Sequence, residues 1–456
     1  MRPRSALLLL AAVAAACSAP PAGPRLDEGA VAYRSGEPAF VLDAVASVRG
    51  DSLGIDVYLG LPPQSLVFSQ RGDQRIGIAQ WTLTVEREGG APLMRSPVDT
   101  LVGPLALDAP PTWRTERIDV PPGTYRVRAV LEDRASDRTA ERTAEVDVRR
   151  PRGTPSLGRI RLDRGSGVSS RPVDSGAVPA SSDSIRAIVQ ALALPPDAAT
   201  QLTVLRLRAD SSAALPLVGF TPGPATLAAR GVDLGSVDTV QTVRQPILNP
   251  DVTLDVEAPL PPLRPGVYRV QIVLEGEGGE RLDVSDRLLV VRRRDYPYVT
   301  RVGDLVGPLQ YLVSERELRD LREAPTPAGQ QRAFDRFWGD QIDDRRLATA
   351  TVRAFYERVE EANRLFATYK EGWKTDAGMA YIVFGPPAFV ERTIEGERWT
   401  YGRGAGSPSV LEFVRTAGRP GTRDRFQVLT LIRDRAYTGV WRRAQRQWRS
   451  GAVPGS

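Results

Sequence analysis

The 456-residue sequence contains no histidine and only one cysteine, Cys17. Without histidine the chain cannot form a Ser-His-Asp or Cys-His arrangement or a histidine-ligated metal site. A single cysteine cannot form a zinc cluster or an internal disulfide. Any catalysis by this chain would therefore depend on carboxylates, hydroxyls and arginines, and we expect no metal and no cofactor.

A large excess of charge of one sign is also lacking. Lysine and arginine total 61 against 55 aspartates and glutamates, a formal charge of +6; residues 1–16 contain Arg2, Arg4 and no acid, so the rest of the chain carries +4. Such a balanced surface does not produce the field that attracts polyanions, so we expect no nucleic-acid partner. At ~150 residues per domain, the length predicts about three domains.

The apolar run at residues 6–16 is too short to span a bilayer as a helix. It follows two arginines and ends directly before Cys17, which is the layout of a secretory signal peptide. Three small residues, the alanines at 14–16, precede the cysteine, and together they resemble a bacterial lipobox. An ordinary signal peptide with an incidental cysteine is the alternative interpretation.

The lipobox resemblance implies that Cys17 receives a diacylglyceryl thioether, becomes the new N-terminus after cleavage and is acylated again. Two or more acyl chains give stable anchoring to the membrane of the cell envelope. Ser18, in the place of an aspartate, implies by the same resemblance an outer-membrane location. Residues 1–16 are thus the predicted signal peptide, and the proline-containing residues 17–36 are a predicted tether.

Residues 37–150 show short alternating patterns of apolar and polar residues separated by turns, which predict an antiparallel β-sandwich. Predicted strands lie at residues 41–48, 53–61, 76–85 and 125–131. In the third of these, alternate residues from Ala79 to Val85 are apolar and the residues between them are polar. One face of this strand is therefore expected to lie in the core.

A duplication supports a second sandwich at residues 151–295. The sequence PGTYRV at residues 122–127 recurs as PGVYRV at residues 265–270, an offset of 143. Pro-Gly turns into a strand, so both copies are predicted to end on the same hairpin, which resembles the last strands of immunoglobulin-like or fibronectin-like modules. Further strands of the second copy are predicted at residues 157–162, 185–192, 203–208 and 252–256.

After Tyr296 apolar residues recur every three to four positions, which predicts helices. Ser314 and Glu317 form a capping box, Thr326 begins a second helix, and a third is predicted to end at Gly372. Strands are predicted at residues 379–384, 398–401, 410–414 and 426–432. The fold class is therefore multidomain: two all-β immunoglobulin-like sandwiches, then an α+β domain of helices and a small antiparallel sheet at 296–449, with a tail at 450–456.

Several separated motifs in this last region resemble the bacterial GWxTD domain. They are FDRFW at 334–338, FYERVEEAN at 355–363, GWKTD at 372–376, YI at 381–382, GPP at 385–387, and Trp399 and Tyr401. The resemblance covers about a third of the chain and implies an envelope or secreted location without an established activity. The chain departs from the family in Ala377, where arginine is common, and in residues 339–344, where an Arg-Asp-Pro-x-Pro segment is usual.

The candidate site is this family motif, which we interpret as structural. Its residues are Gly372, Trp373, Thr375, Asp376, Gly378, Tyr381, Gly385 and Pro386. Trp373 is expected to fill the junction between helix and sheet, and Thr375 and Asp376 are expected to cap the turn. In the alternative interpretation Asp376 is a general acid or base opposite another carboxylate, for glycoside cleavage; the candidates are Glu391, Glu395 and Glu397.

Two further segments have competing interpretations. The glycine-rich residues 402–407 lack the lysine of a phosphate-binding loop and are predicted to be a flexible hairpin. Residues 441–449 interleave two tryptophans with four arginines. We expect the tryptophans to pack on their own domain, the alternative being contact with an anionic lipid surface, a glycan or a partner.

The sequence thus predicts a non-enzymatic envelope lipoprotein, a binding or scaffold protein anchored to the membrane through Cys17. Its α+β domain is expected to meet a protein or cell-wall partner. The competing hypothesis is a carboxylate-dependent hydrolase that acts on envelope glycans. No residue is assigned a catalytic role.

Overall fold

The computed structural model describes most of the chain. The described residues are 25–27, 38, 40–50, 52–62, 65–87, 89–103, 111–149, 153–165, 171–173, 178–180, 184–217, 231–248, 253–324, 326–393, 396–402, 409–416 and 428–455. Cys17, Glu395 and most of the predicted tether and of the 402–407 hairpin lie outside these residues.

The first β-sandwich follows a short strand, β1, at Arg25–Asp27. Its strands are β2 (Val41–Arg49), β3 (Ser52–Leu61), β4 (Ser69–Arg71), β5 (Gln74–Arg87), β6 (Leu93–Arg95), β7 (Val98–Gly103), β8 (Thr112–Asp119), β9 (Gly123–Asp133) and β10 (Arg138–Val148). One sheet has the order β2-β3-β8, and the other has the order β10-β9-β5-β4 with β6 and β7 also paired to β5. Trp81 on β5 is fully buried between them, and its Nε1 donates to Asp99 at 2.8 Å.

The second β-sandwich also consists of two sheets around one core. Its strands are β11 (Ser156–Leu157), β12 (Arg161–Arg164), β13 (Arg171–Pro172), β14 (Val178–Pro179), β15 (Ile185–Leu192), β16 (Ala199–Ala209), β17 (Val232–Pro246), β18 (Thr253–Pro259), β19 (Gly266–Glu275) and β20 (Arg281–Arg292). The sheets have the orders β11-β15-β12-β13, with β18 on β15, and β14-β20-β19-β16-β17. The single strand predicted at 157–162 is two short strands, β11 and β12.

The two sandwiches share the geometry of their final hairpin. Val148 pairs with Gly123 in the first copy, and Val291 pairs with Gly266 in the second, so the register is the same. The hydroxyl of Tyr125 donates to the carbonyl of Pro121, and that of Tyr268 donates to the carbonyl of Arg264, both at 2.8 Å. Each tyrosine thus bonds the backbone four residues before it, the arrangement known from immunoglobulin-like sandwiches.

Buried polar contacts join the first sandwich to the second. Arg287 on β20 donates to the Asp43 carboxylate on β2 at 2.9 Å, and both side chains are less than a tenth exposed. The Gln190 side chain on β15 bonds both the amide and the carbonyl of Val48, at 2.7 and 2.9 Å. Because a buried ion pair and a bidentate amide fix orientation, we expect the two sandwiches to move as one body.

The terminal region contains six α-helices in the described part and a small antiparallel sheet. The helices are α1 (Val302–Val306), α2 (Glu315–Arg322), α3 (Pro327–Gln341), α4 (Arg345–Leu365), α5 (Asp376–Phe384) and α6 (Tyr437–Arg449), and the strands are β21 (Phe389–Thr393), β22 (Gly396–Tyr401), β23 (Ser409–Thr416) and β24 (Val428–Leu431). The sheet order is β1-β21-β22-β23-β24, so β1 from the predicted tether region supplies one edge. The predicted fold class is confirmed.

Local signals in the sequence fix the starts of helices α2, α3 and α4. The capping box of α2 forms as predicted, because Ser314 accepts from the Glu317 amide while the Glu317 carboxylate accepts from the Ser314 amide. Thr326 caps α3, whose first residue is a proline. Asp344 caps α4 through the amides of the second and third helical residues.

The strand predicted at residues 379–384 is wrong, since these residues form the end of helix α5. Residues 377–384 are all buried, so the helix has no polar face and its sequence shows no helical period. An apolar run of this kind is equally compatible with a strand covered on both sides. The cap at Thr375 decides the outcome, since its hydroxyl accepts from the Gly378 amide and begins the helix.

The predicted end of the third helix at Gly372 is also wrong, since α4 ends at Leu365. Contacts with the second sandwich explain the earlier end. Tyr369 is buried in an apolar cluster with residues of β16, β19 and β20, and the Arg292 guanidinium donates to the carbonyls of Thr368 and Lys370. These contacts hold the segment after α4 in a non-helical conformation.

Helix α6 covers the domain with the two tryptophans of the C-terminal segment. Trp441 and Trp448 are fully buried, and Trp448 Nε1 donates to the carbonyl of Val383 at 3.0 Å. Arg449 at the end of the helix pairs with Glu317 at 2.7 Å. The expectation that the tryptophans pack on their own domain is confirmed. Among the described helices, none combines the length and apolar character needed to cross a membrane.

Candidate functional site

The motif at residues 372–378 turns tightly between α4 and α5, and two of its glycines have no room for a side chain. A Cβ on Gly372 would lie 1.9 Å from the carbonyl oxygen of Ala362 on α4. A Cβ on Gly378 would lie 1.9 Å from the carbonyl oxygen of Gly372. Both clashes are with backbone atoms, which cannot rotate away. The two glycines therefore let the turn lie directly against α4.

Thr375 holds this turn closed. Its hydroxyl donates to the carbonyl of Gly372 at 2.7 Å and accepts from the amide of Gly378 at 3.0 Å. The side chain is 3% exposed, so both bonds are shielded from water. The prediction that Thr375 caps the turn is confirmed, and the cap belongs to helix α5.

Trp373 does not lie at the predicted junction between helix and sheet. Its ring contacts the helical residues 307–311, where it meets Tyr311 edge to face with 6.3 Å between centroids. A Cβ on Gly307 would come within 3.0 Å of the indole. The backbone of Trp373 is fixed as well, because its amide donates to Asn363 Oδ1 and its carbonyl accepts from the Tyr311 hydroxyl. The residue therefore joins the turn to the first helices and not to the sheet.

Asp376 is part of a nearly buried ion pair and does not cap the turn. Arg433 donates to both of its carboxylate oxygens, at 2.6 and 3.1 Å, and the Leu431 amide donates to one of them at 2.9 Å. The two side chains are 12% and 8% exposed. The expected capping role thus belongs to Thr375 alone, and Asp376 ties the start of α5 to the end of β24, where its charge also suits the helix N-terminus.

The remaining motif residues support the packing of α5. Tyr381 is fully buried, and its hydroxyl donates to Glu361 on α4 at 2.8 Å. Gly385 ends α5 at a backbone φ of 86° and leads into Pro386, which is partly exposed. Ala377, at the position where relatives carry arginine, is 2% exposed. All of these residues lie in or against the core of the terminal region.

A segment of the second sandwich lies against this motif. We name residues 210–217, in the connection between β16 and β17, the arm. Its Ala214 and Leu217 are buried in the core of the terminal region at 2% and 0% exposure. Its Ala214 amide donates to the carbonyl of Lys374, the central residue of the motif, at 2.9 Å. The motif therefore serves as the junction between two parts of the chain.

Two cations hold the arm at its ends. The ammonium of Lys370, which is 7% exposed, donates to the carbonyl of Ser212 at 2.9 Å and lies 3.4 Å from the Asp210 carboxylate. Burial would raise the pKa of Asp210, but hydrogen bonds from Ser212 and the charge of Lys370 keep it below its ordinary value. Arg433, the partner of Asp376, also donates to the Leu215 carbonyl at 3.1 Å. Asp376 thus fixes the cation that binds the arm.

Sequence reasoning did not identify the arm, Lys370 or Arg433 as part of the site. The constant offset of 143 does not mark this segment, but matching the strands of the two copies one by one pairs a connection of five residues, 88–92, with one of 22 residues, 210–231. Connections of that length are uncommon in compact domains and are usually either functional or linker segments. Aligning the copies strand by strand would have marked this segment.

Two of the other candidate carboxylates, Glu391 and Glu397, are also engaged, and Glu395 lies outside the described residues. Glu397 is 7% exposed and accepts from Trp399 Nε1 at 2.8 Å, and Glu391 lies 3.5 Å from Arg398. Glycoside cleavage requires two carboxyl groups facing an open cleft, and the described part of the site does not present Asp376 in this way. Among the described residues, no group of three or more acidic, histidine or cysteine side chains is placed to hold a metal ion.

Residues 280–450 match the model of the GWxTD domain. No curated protein matches the chain. Among solved structures, the transglutaminase of red sea bream aligns with 55% of this chain at 12% identity, but the TM-score is 0.16 and the alignment covers 31% of the transglutaminase chain. This low structural score supports no inference about fold or function.

Proposed function

We propose that the chain, whose residues 280–450 are a GWxTD domain, is an envelope lipoprotein that acts by binding. In this proposal Cys17 carries the lipid anchor, in the outer membrane, and the two sandwiches form one stiff body. The GWxTD domain then meets a protein or cell-wall partner near the membrane, because β1 at Arg25–Asp27 pairs with β21 of its sheet and begins eight residues after Cys17. The alanines before Cys17 and the buried Asp43–Arg287 pair between the sandwiches support the first two parts.

The observation that carries the binding role is the use of the motif itself. Thr375 closes a turn, Asp376 binds Arg433, and the Lys374 carbonyl accepts from the arm. These polar groups therefore bond other segments of the chain. Groups engaged in this way are not available as an acid, a base or a nucleophile, which favours a binding role over catalysis. The glycan-hydrolase hypothesis gains no support from this geometry.

The anchor is tested by fractionating cells that express the chain with Cys17→Ala. We expect this variant to leave the membrane fraction, while the control Ser18→Ala remains membrane-bound. Membrane association unchanged by Cys17→Ala would refute lipidation.

The binding role is tested by pull-down from solubilised envelopes with the purified, immobilised Cys17→Ala chain. We expect one partner to be retained and to be competed away by excess free chain. In parallel, the same chain is incubated with cell-wall glycans and peptides. Turnover that Asp376→Asn abolishes without unfolding the protein would overturn the proposal.

A further inference from the structure

The arm is not needed to build the sandwich from which it extends. Ala209 at the end of β16 pairs directly with Val232 at the start of β17, so the 22 intervening residues leave and re-enter a hairpin. In the first copy the corresponding strands β5 and β6 are joined by residues 88–92 alone. Hairpin loops of two to five residues are sufficient to connect antiparallel strands. The extra length in the second copy therefore serves the contact with the terminal region.

The terminal region holds the arm mainly by its backbone. Lys370 donates to the carbonyl of Ser212, Arg433 donates to that of Leu215, and Thr438 donates to that of Leu217. The amide of Ala214 donates to the carbonyl of Lys374. Backbone contacts of this kind do not depend on the side chains of the bound segment, as in the recognition of extended peptides by other domains. The surface that makes them is therefore able to accept a segment of different sequence.

Three side chains of the arm supply the selectivity. Asp210 faces the Lys370 ammonium, Ala214 fills a small buried space, and Leu217 fills a larger one. Leu215, between the two buried residues, is 40% exposed, so its side chain does not contribute to selectivity. The pattern is an acid, a small residue four positions later and a branched aliphatic residue three positions after that.

We propose that the surface formed by Lys370, Lys374, Arg433 and Thr438 is a peptide-binding groove, and that the arm is its occupant in cis. The partner is an extended segment of another protein with the same pattern: an acidic, a small and a branched aliphatic residue. The partner's segment displaces the arm from the groove. This inference rests on the proposed binding function and locates the site at which the partner is held.

Lys370 favours an acidic ligand, because it faces Asp210 of the arm, and both groove cations favour an extended backbone, because each donates to a carbonyl of the arm. Lys370 is 7% exposed and Arg433 is 8% exposed, and each donates to the arm as well as to a carboxylate. Arg433 is oriented by the Asp376 side chain, so the aspartate of the motif acts as a positioning residue for the groove. A bound segment that lacked carbonyl or carboxylate acceptors would leave these nearly buried cations without those bonds, which is unfavourable.

The test uses the full chain with an emptied groove. In this short-loop variant, residues 210–231 are replaced by residues 88–92 of the first copy. A fluorescein-labelled synthetic peptide of residues 210–217 is titrated with the protein, and anisotropy reports binding. We expect saturable binding to the short-loop variant and at least tenfold weaker binding to the unaltered chain, because the arm is a competitor at high effective concentration.

Two matched changes distinguish the groove from nonspecific binding. Lys370→Met in the short-loop variant and Leu217→Asp in the peptide are each expected to weaken binding at least tenfold, whereas Leu215→Asp in the peptide is expected to have less than a threefold effect. Circular dichroism and a melting curve establish that each protein is folded. If the short-loop variant does not fold, Leu217→Asp in the full chain expels the arm for the same titration.

A folded protein with an emptied groove that shows no saturable binding of the peptide would overturn the inference. Equal binding of the native peptide and its Leu217→Asp form would do the same. Either result, together with a competable partner in the envelope pull-down, would leave the binding function standing and place the partner elsewhere on the molecule.

Discussion

The two β-sandwiches have the same final hairpin and the same tyrosine bond to the backbone four residues before it, but the connection after the strand that pairs with this hairpin differs in length. Five residues join β5 to β6 in the first copy, and 22 residues join β16 to β17 in the second. The shared parts are those on which closure of a sandwich depends. The sandwich closes without the extra residues of the longer connection, and connections of this kind tolerate insertions. In the second copy the connection therefore also contacts the next region of the chain.

A second difference concerns what each copy contacts. The first copy meets the second through the Asp43–Arg287 pair and the Gln190 side chain. The second copy also meets the terminal region, through Tyr369 and the arm. The repeated fold thus provides stiffness, while the added segment provides a further contact between the second copy and the terminal region.

The largest expected effect comes from breaking the contact between the copies. Burial would raise the pKa of Asp43, but Arg287 and Arg159 hold it below its ordinary value. Arg287→Met removes the nearer cation and leaves a buried carboxylate, so we expect the free energy of unfolding at pH 7 to fall by ~3–5 kcal/mol. Chemical denaturation followed by tryptophan fluorescence measures the change. Arg128→Met, at a half-exposed pair with Glu141, is the control and should cost less than ~1 kcal/mol.

The pH dependence of that effect tests its cause. In the unaltered chain the pKa of Asp43 is lowered, so its contribution is complete above the ordinary pKa and is lost as the pH falls through the lowered value. In Arg287→Met the effect of burial on the pKa of Asp43 is less opposed, so Asp43 binds a proton at a higher pH. The neutral carboxyl group no longer destabilises the fold as the buried carboxylate does. The difference in free energy of unfolding between the two proteins should therefore become smaller from pH 7 to pH 3. A difference that stays constant would show that lost packing, and not charge, is responsible.

The next effect measures how much the arm of the second copy contributes to the free energy of unfolding. Leu217 is fully buried in the terminal core, whereas Leu215 is 40% exposed. Leu217→Ala should therefore lower the free energy of unfolding by ~2–3 kcal/mol and Leu215→Ala by less than ~0.5 kcal/mol. Hydrogen exchange of residues 210–217 should increase in the first variant only. Equal effects of the two substitutions would contradict the docking of the arm.

A smaller effect tests the likeness of the copies. Tyr125→Phe and Tyr268→Phe each remove one hydrogen bond to a backbone carbonyl and change little else. We expect each to cost ~1 kcal/mol, the ordinary net value of such a bond. The double variant should show the sum, since the two sites have no shared partners. Unequal costs would mean that the repeated hairpin is supported differently in the two copies.

The smallest effect extends the comparison to the terminal domain. Burial opposes ionisation of Glu317, but hydrogen bonds from Arg449 and Ser314 lower its pKa to about 2. Its contribution is therefore complete above the ordinary carboxyl pKa and is lost as the pH falls through about 2. Glu317→Gln should cost ~1 kcal/mol or less at pH 7, and the cost should shrink as the pH falls towards about 2, measured by thermal melting. Glu315→Gln, with an exposed side chain in the same turn, is the control.

Much of the fold was predictable where a signal lies within a few neighbouring residues. The capping box at Ser314 and Glu317 and the alternation from Ala79 to Val85 each describe their own element, and the structure has both. Helix α5 failed for the opposite reason. Its residues are buried on every side, so the sequence carried no period to separate helix from strand.

The candidate site divides in the same way. The turn chemistry of Thr375 was predictable, because a threonine before a helix acts on amides three residues away. Two other contacts join residues more than 50 positions apart: Asp376 pairs with Arg433, and the ring of Trp373 packs against Gly307. No local pattern in the sequence specifies such partners.

By itself, the sequence determined the repeated sandwiches, the capped helices and the family motif, because short-range backbone preferences and alternating burial fix these features. Only the tertiary structure decided that the motif is a junction. The early end of α4, the helical form of α5 and the docking of the arm all depend on surfaces contributed by distant parts of the chain, where the burial of Tyr369, Leu217 and Lys370 outweighs local preference.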